Sequence, residues 1–245
     1  MSDFWDDAAN SEVPEPPKPS YEGLPDGVTV ICRTTTMEDK ETVRPSIKPI
    51  EGKNGTFYRF KAPVIIIGGD SKVDAKFMGR YLFLDLNVEK PTRDQLEKGI
   101  ATAKAGGFES TENRLKGQLG SLEKFPVSPE LYNFMLDTLV PEGASAAARW
   151  AEAVGILKVK AKECGYTPST FEGNTQLLYA TTFKEVLLGK SFNVIGKTYT
   201  PRQREGSTYV PQQTLGSIGS DGDEQRKKRK VRVMEVVTNN NDVPF

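Results

Sequence analysis

Thr56-Phe57-Tyr58-Arg59-Phe60-Lys61, Pro63-Val64-Ile65-Ile66-Ile67 and Gly79-Arg80-Tyr81-Leu82-Phe83-Leu84-Asp85-Leu86 are the stretches on which the fold turns. Each is short, rich in β-branched and aromatic residues, and set off by turn signals at Gly52-Lys53-Asn54-Gly55 and Gly68-Gly69-Asp70, the composition of strands rather than helices. The middle one is apolar on both faces, and the third alternates imperfectly. Upstream, the turn Leu24-Pro25-Asp26-Gly27 leads into Val28-Thr29-Val30-Ile31-Cys32, a further strand. Four short strands so close together predict an antiparallel meander.

The pattern then changes period. Thr92 and Gln95 have capping-box spacing and open a helix that ends near Gly106-Gly107. Ser128-Pro129 is an N-cap with proline at the first helical position, followed by Leu131, Phe134, Met135 and Leu139 at helical spacing. Residues 144–164 predict the longest helix, with Trp150, Val154, Leu157 and Ala161 on one stripe and Gly165 as its C-terminal cap. Strand character returns at Gln176–Phe183, Ser191–Ile195 and Thr198–Thr200, ending near Ser207–Val210. The fold class expected is mainly β with an α insertion (α+β): a barrel-like sheet from both ends of residues 24–215, interrupted by helices at about 91–165. Residues 1–23, acidic and proline-rich, predict a disordered arm. Residues 216–245 predict a flexible basic tail.

The chain has 245 residues and no histidine. Ser-His and Cys-His catalysis and His-ligated metals are therefore excluded, and two cysteines, Cys32 and Cys164, cannot make a four-thiolate site. No apolar run approaches the roughly 18 residues that span a bilayer, so no membrane is expected. The opening Met1–Asp7 lacks the basic-then-apolar layout of a secretion signal, so a cytoplasmic location with two free thiols is expected. Zero net charge hides a segregation: residues 1–27 carry seven acids against Lys18, whereas residues 28–220 hold 26 basic and 21 acidic side chains. The run Arg226-Lys227-Lys228-Arg229-Lys230 follows. An acidic head before a basic body and basic cluster suggests a polyanionic partner.

Gly68-Gly69-Asp70-Ser71-Lys72 lacks the spacing of a phosphate loop and leads to another strand, so it reads as a hairpin turn. Asp70, Asp74 and Asp85 are candidates for a magnesium-holding carboxylate set, but their spacing is equally that of solvated surface. No metal or cofactor is expected. Basic and aromatic residues interleave more informatively, because lysines and arginines follow a phosphate backbone while bases stack on aromatic faces. Alternate residues of a strand share a face. Phe57, Arg59 and Lys61 therefore share one face and Tyr58 and Phe60 the other, and Arg80-Tyr81, Lys197-Thr198-Tyr199 and Arg202-Gln203-Arg204 before Tyr209 repeat the adjacency. Either these form a nucleic-acid surface, or the aromatics point inward and the bases outward on a half-buried sheet.

The chain ends in Asp242-Val243-Pro244-Phe245, where an apolar aromatic follows a proline that stiffens its approach to a pocket. This resembles the acidic tip, ending in Asp-Ile-Pro-Phe, of bacterial single-stranded DNA-binding proteins and some phage counterparts. Asn239-Asn240-Asn241 stand where that family has acids. The body, with its early strands, helical insertion and late strands, looks more like phage-encoded members. The resemblance implies an oligonucleotide-binding-fold-like antiparallel barrel and a non-enzymatic protein. Such a protein would coat single-stranded DNA without sequence specificity in replication, recombination or repair, inside a bacterial or phage-infected cell. Arg59, Lys61, Arg80, Lys197, Arg202 and Arg204 would capture phosphates, and Tyr58, Phe60, Tyr81, Tyr199 or Tyr209 would stack on bases. Asp242–Phe245 would recruit replication or repair proteins, and self-association stays open. The rival readings are a replisome adaptor that does not touch DNA and a magnesium-dependent nuclease.

Overall fold

The fold is organised by one long strand, β3 (Gly55–Gly69), which pairs in turn with three others. The computed structural model describes residues 22–34, 44–52, 55–140, 145–188, 190–203 and 205–217. The other strands are β1 (Thr29–Thr34), β2 (Ser46–Gly52), β4 (Tyr81–Asn87), β5 (Asn193–Tyr199) and β6 (Thr214–Ser217). Strand order is β1-β5-β6-β4-β3-β2, and β1 also pairs with β3. That last pairing closes β1, β3, β4, β6 and β5 into a five-stranded barrel, with β2 as a sixth strand on the flank of β3. The stretches expected as two strands, 56–61 and 63–67, are thus one. Pro63 lies between Lys61, the last residue paired to β2 in register, and Val64, the first paired to β1. Proline has no N–H for a ladder, and at this handover between partners none is needed.

Three further expectations are corrected. The barrel is mixed, not antiparallel, because β4 and β6 run parallel with Leu84 opposite Leu215. The region expected as a strand at Gln176–Phe183 lies in a helix, so helices occupy 93–187 rather than ending near 165. Its Asn174 Oδ1 accepts the Leu177 N–H at 2.9 Å, and Ala180, Phe183 and Leu187 are buried at helical spacing, so packing overrides the β-branched composition. Finally, Ser207–Val210 is outside any strand, and the last strand among the described residues is β6, whose four residues are too few to carry a strand signature. Strand β2 was also not foreseen; it carries Pro49, tolerable on a strand with a single partner.

The helices are α1 (Arg93–Ala105), α2 (Glu109–Ser121), α3 (Pro129–Leu139), α4 (Ala146–Cys164) and α5 (Thr175–Leu187). The Thr92–Gln95 capping box opens α1 as expected, Ser128 caps α3 through the Leu131 N–H, and Gly165 ends α4 at φ 71°. Helix α3 packs on β4, β5 and β6, and α4 packs on α3 and α5. Barrel and helices share one core. Phe60 of β3 lies 5.6 Å from the ring of Phe183 and 6.1 Å from that of Phe134, and a second chain of rings, Tyr132–Trp150–Tyr179, ties α3, α4 and α5 together. Cys32 is inside the barrel, where burial pushes its thiol up to about 12.

On β5 the interior position between Val194 and Thr198 is Gly196. A Cβ there would stand 2.5 Å from both the Gly216 carbonyl oxygen and Leu215 Cδ1, so only glycine lets β6 approach. Gly196→Ala is expected to lower stability by about 1–3 kcal/mol, measured as a lower urea midpoint with an unchanged slope.

Candidate functional site

Even-numbered residues of β3 point into the barrel, where Phe60, Ala62, Val64 and Ile66 are buried. Odd-numbered residues therefore point outward. Register pairs Arg59 with Asn87, Lys61 with Asp85, Pro63 with Phe83 and Ile65 with Tyr81 across β3 and β4. The outer face thus presents a stripe in which charged and aromatic residues adjoin. Phe57 (39% exposed), Tyr81 (40%), Phe83 (38%) and Tyr199 (37%) all keep a substantial part of their surface in solvent.

Asp85 organises the centre of this face. Its carboxylate accepts from Arg59 Nε at 2.8 Å and lies 3.7 Å from Lys61 Nζ. Arg59 Nη1 donates to Asn87 Oδ1 at 2.7 Å and Nη2 to the Asp85 carbonyl at 3.4 Å. Burial works against the Arg59 charge, but Asp85 and Tyr199 outweigh it and raise its pKa above the ordinary value. Most of the donors of Arg59 are thus occupied; what it leaves for a ligand is the flat face of the guanidinium, a surface on which bases stack.

The other sequence-predicted residues are distributed unevenly. Lys61, Tyr81, Lys197 and Tyr199 share the outer face with Arg59. Arg80, just before β4, lies with its guanidinium 4.8 Å above the Phe77 ring and donates to the Glu22 carbonyl at 2.6 Å. Arg202 and Tyr209 are exposed on the connection between β5 and β6. Tyr58 is half-buried against the core, its N–H donating to Glu89 at 2.9 Å. Phe60 is fully buried between Phe134 and Phe183; the expectation that it stacks on a ligand is corrected, since strand alternation puts it inside. Arg204 and Asp242, Val243, Pro244 and Phe245 lie outside the described residues. Phe57 and Phe83 were not singled out as site residues, although Phe57 shares its face with Arg59 and Lys61 by the period of two.

No family model, curated protein or solved structure matches this chain.

The three aspartates weighed as a metal set serve separate ends. Asp85 pairs with Arg59 and Lys61, Asp70 accepts the Thr29 and Lys72 backbone N–H groups, and Asp74 lies 3.5 Å from Lys76. Among the described residues no group of three His, Cys, Asp or Glu is placed to hold a metal ion. Also among them, no helix is long and apolar enough to cross a membrane.

Because Phe60 is core and Phe83 is surface, Phe60→Ala is expected to cost about 3–5 kcal/mol of stability and Phe83→Ala about 0.5 kcal/mol or less. Urea unfolding of the two variants measures this, and equal losses would mean that the faces of the barrel have been assigned wrongly.

Proposed function

We propose that this chain binds single-stranded DNA without sequence specificity, on the outer face of β3 and β4, in replication, recombination or repair. The observation that carries the proposal is the stripe of exposed aromatic rings and basic groups on that face, because stacking and phosphate attraction are the two sequence-tolerant ways of holding a single strand. The topology supports it. Counted in chain order, the barrel strands close as 1-2-3-5-4 with the third and fifth parallel, which is the arrangement of oligonucleotide-binding folds. Such folds bind on the face of their second and third strands and with the loops after their first and fourth. The second and third barrel strands here are β3 and β4, and the loop after the fourth carries Arg202 and Tyr209.

Bases stack on Tyr81, Phe83, Tyr199 and the face of Arg59, while Lys61, Lys197, Arg80 and Arg202 attract phosphates. The protein acts as a coat and performs no chemistry on the strand. Its Asp242–Phe245 tip brings replication or repair proteins to the covered DNA in a bacterial or phage-infected cell. A replisome adaptor is the second reading, favoured by an apolar groove of about 520 Å³ between α4 and α5 with Lys158 and Lys162 among its lining residues.

Titration of fluorescent poly-dT at several salt concentrations, with and without magnesium, tests the proposal. Tight binding that weakens steeply with salt and leaves the DNA intact is expected, and a chain lacking Phe245 should titrate like the parent. No binding favours the adaptor, and cleavage only with magnesium favours a nuclease.

The acidic arm has a place in this reading. Glu22 bonds Lys76 at 2.8 Å and gives its carbonyl to Arg80. The Lys76 ammonium holds the Glu22 carboxyl below the usual range, and Glu22 in turn raises Lys76. Glu22 thus occupies Lys76 and Arg80, groups that would otherwise be open to phosphates, and an acidic stretch precedes it in the sequence. Removing residues 1–22 is expected to tighten dT binding at low salt and to matter less as salt screens both contacts; unchanged affinity at low salt would count against the competition.

A further inference from the structure

A cleft of about 780 Å³ lies between the β2–β3 hairpin and the first two helices, within the roughly 300–1,000 Å³ of sites that enclose small ligands. We infer that it receives a nucleotide of the bound strand, the base against Phe57 and the phosphate at Arg114, so that the helical insertion is part of the DNA track. The inference rests on the single-stranded DNA reading of the barrel face.

Cleft and face are continuous. Phe57 continues the outward row of Arg59 and Lys61, and it lines the cleft. Asn87 also lines the cleft and accepts from Arg59 Nη1 at 2.7 Å. A strand following the face from Tyr81 towards Arg59 therefore arrives at Phe57. The Phe57 ring is held across Gly52, where a Cβ would come within 3.3 Å of its Cε1, so it offers a positioned stacking surface.

The opposite wall is hard to explain by packing alone. Helix α2 has no buried residue and rests on α1 where Leu115 meets Gly99. A helix of 13 residues that adds so little to the core presents Arg114 and Gln118 to the cleft, with Gln95 of α1 nearby. Amide side chains both donate and accept, so they can meet the polar edge of any base.

The charge of the cleft fits the assignment of parts. Lys90 and Arg114 are set against Glu89 and Glu130, so a neutral base suits the interior better than a phosphate. Glu89 already accepts the Tyr58 N–H, Lys90 Nζ donates to the Leu122 carbonyl, and Glu130 lies in the first turn of α3, where the helix dipole favours it. Arg114 is exposed and bonds only weakly, at 3.5 Å, to Gln118, which leaves it able to meet a phosphate at the rim.

The test measures the affinity of the full chain and its Phe57→Ala, Arg114→Ala and Phe83→Ala variants for an oligo-dT of about 16 nucleotides, at the upper end of what one such barrel covers. All three side chains are exposed, and matching thermal melts verify that the variants fold. Each substitution is expected to weaken binding by about fivefold or more, with Arg114→Ala also lowering the salt dependence. If the parent and Phe83→Ala differ as expected but Arg114→Ala binds like the parent, the cleft inference is overturned and the face reading stands. If the parent does not bind oligo-dT, the reading of the face itself has failed.

Discussion

The alternation of β3 is the constraint on which the remaining structure depends. A strand with a period of two must send consecutive residues to opposite sides, and over Phe57–Ile66 it does so without a break. The even side places Phe60 between Phe134 and Phe183, so the barrel and the helical insertion share one core. The odd side places Phe57, Arg59, Lys61 and Ile65 outside. A slip of one residue would bury the arginine and lysine and expose the phenylalanine that joins the two halves. Register is therefore strongly specified. The handover of β3 from β2 to β1 at Pro63 extends the same strand around the closure, so closing the barrel and displaying the basic-aromatic row are one event.

On that outer face the electrostatics favour order over raw attraction. Asp85 places a carboxylate at the centre of a surface otherwise suited to phosphate. It reduces net positive charge, yet together with Asn87 it fixes the Arg59 guanidinium in place. A free arginine must be ordered when it binds, whereas this one is ordered beforehand, which lowers the cost of association. Lys61, 3.7 Å from Asp85 and more exposed than Arg59, keeps the mobility that suits a contact with phosphate. The two cations next to one carboxylate thus differ in what they offer: a plane and a charge.

The sequence carried the first half of the barrel clearly and the second half poorly, for physical reasons that particular residues expose. Around β1, β3 and β4, β-branched and aromatic residues coincide with turn signals, and local preference agrees with the fold. Gln176–Phe183 has the same composition, but its helix is decided by Phe183 packing onto Phe60, a contact invisible to a local reading, together with the Asn174 cap, a local signal that the strand reading passes over. Strand β6 is the opposite case. Its four residues seat against β5 because Gly196 leaves room for Leu215 and the Gly216 carbonyl, so the strand has almost no signature of its own. For the face, the period of two already separated Phe57, Arg59 and Lys61 from Tyr58 and Phe60; what it lacked was which side was inside. The buried ring cluster around Phe60 supplies that, and it is formed with residues more than seventy positions away in the chain.

The distribution of burial also bears on why five helices, among the described residues, accompany so small a barrel. Helix α3 packs on β4, β5 and β6, and α5 contacts β2, so apolar surface from the insertion is available to cover strands. Yet Tyr81 and Phe83, in the middle of the sheet, stay more than a third exposed while α2 buries nothing fully. Covering those rings with a helical stripe would add to stability at about 25 cal/mol per Å² of apolar area. A fold that leaves them open, with Arg59 and Lys61 alongside, forgoes that gain at one contiguous place and not at random. Under the single-stranded DNA proposal, the exposed aromatic surface retained in this way is what a ligand with flat faces and negative charge would cover.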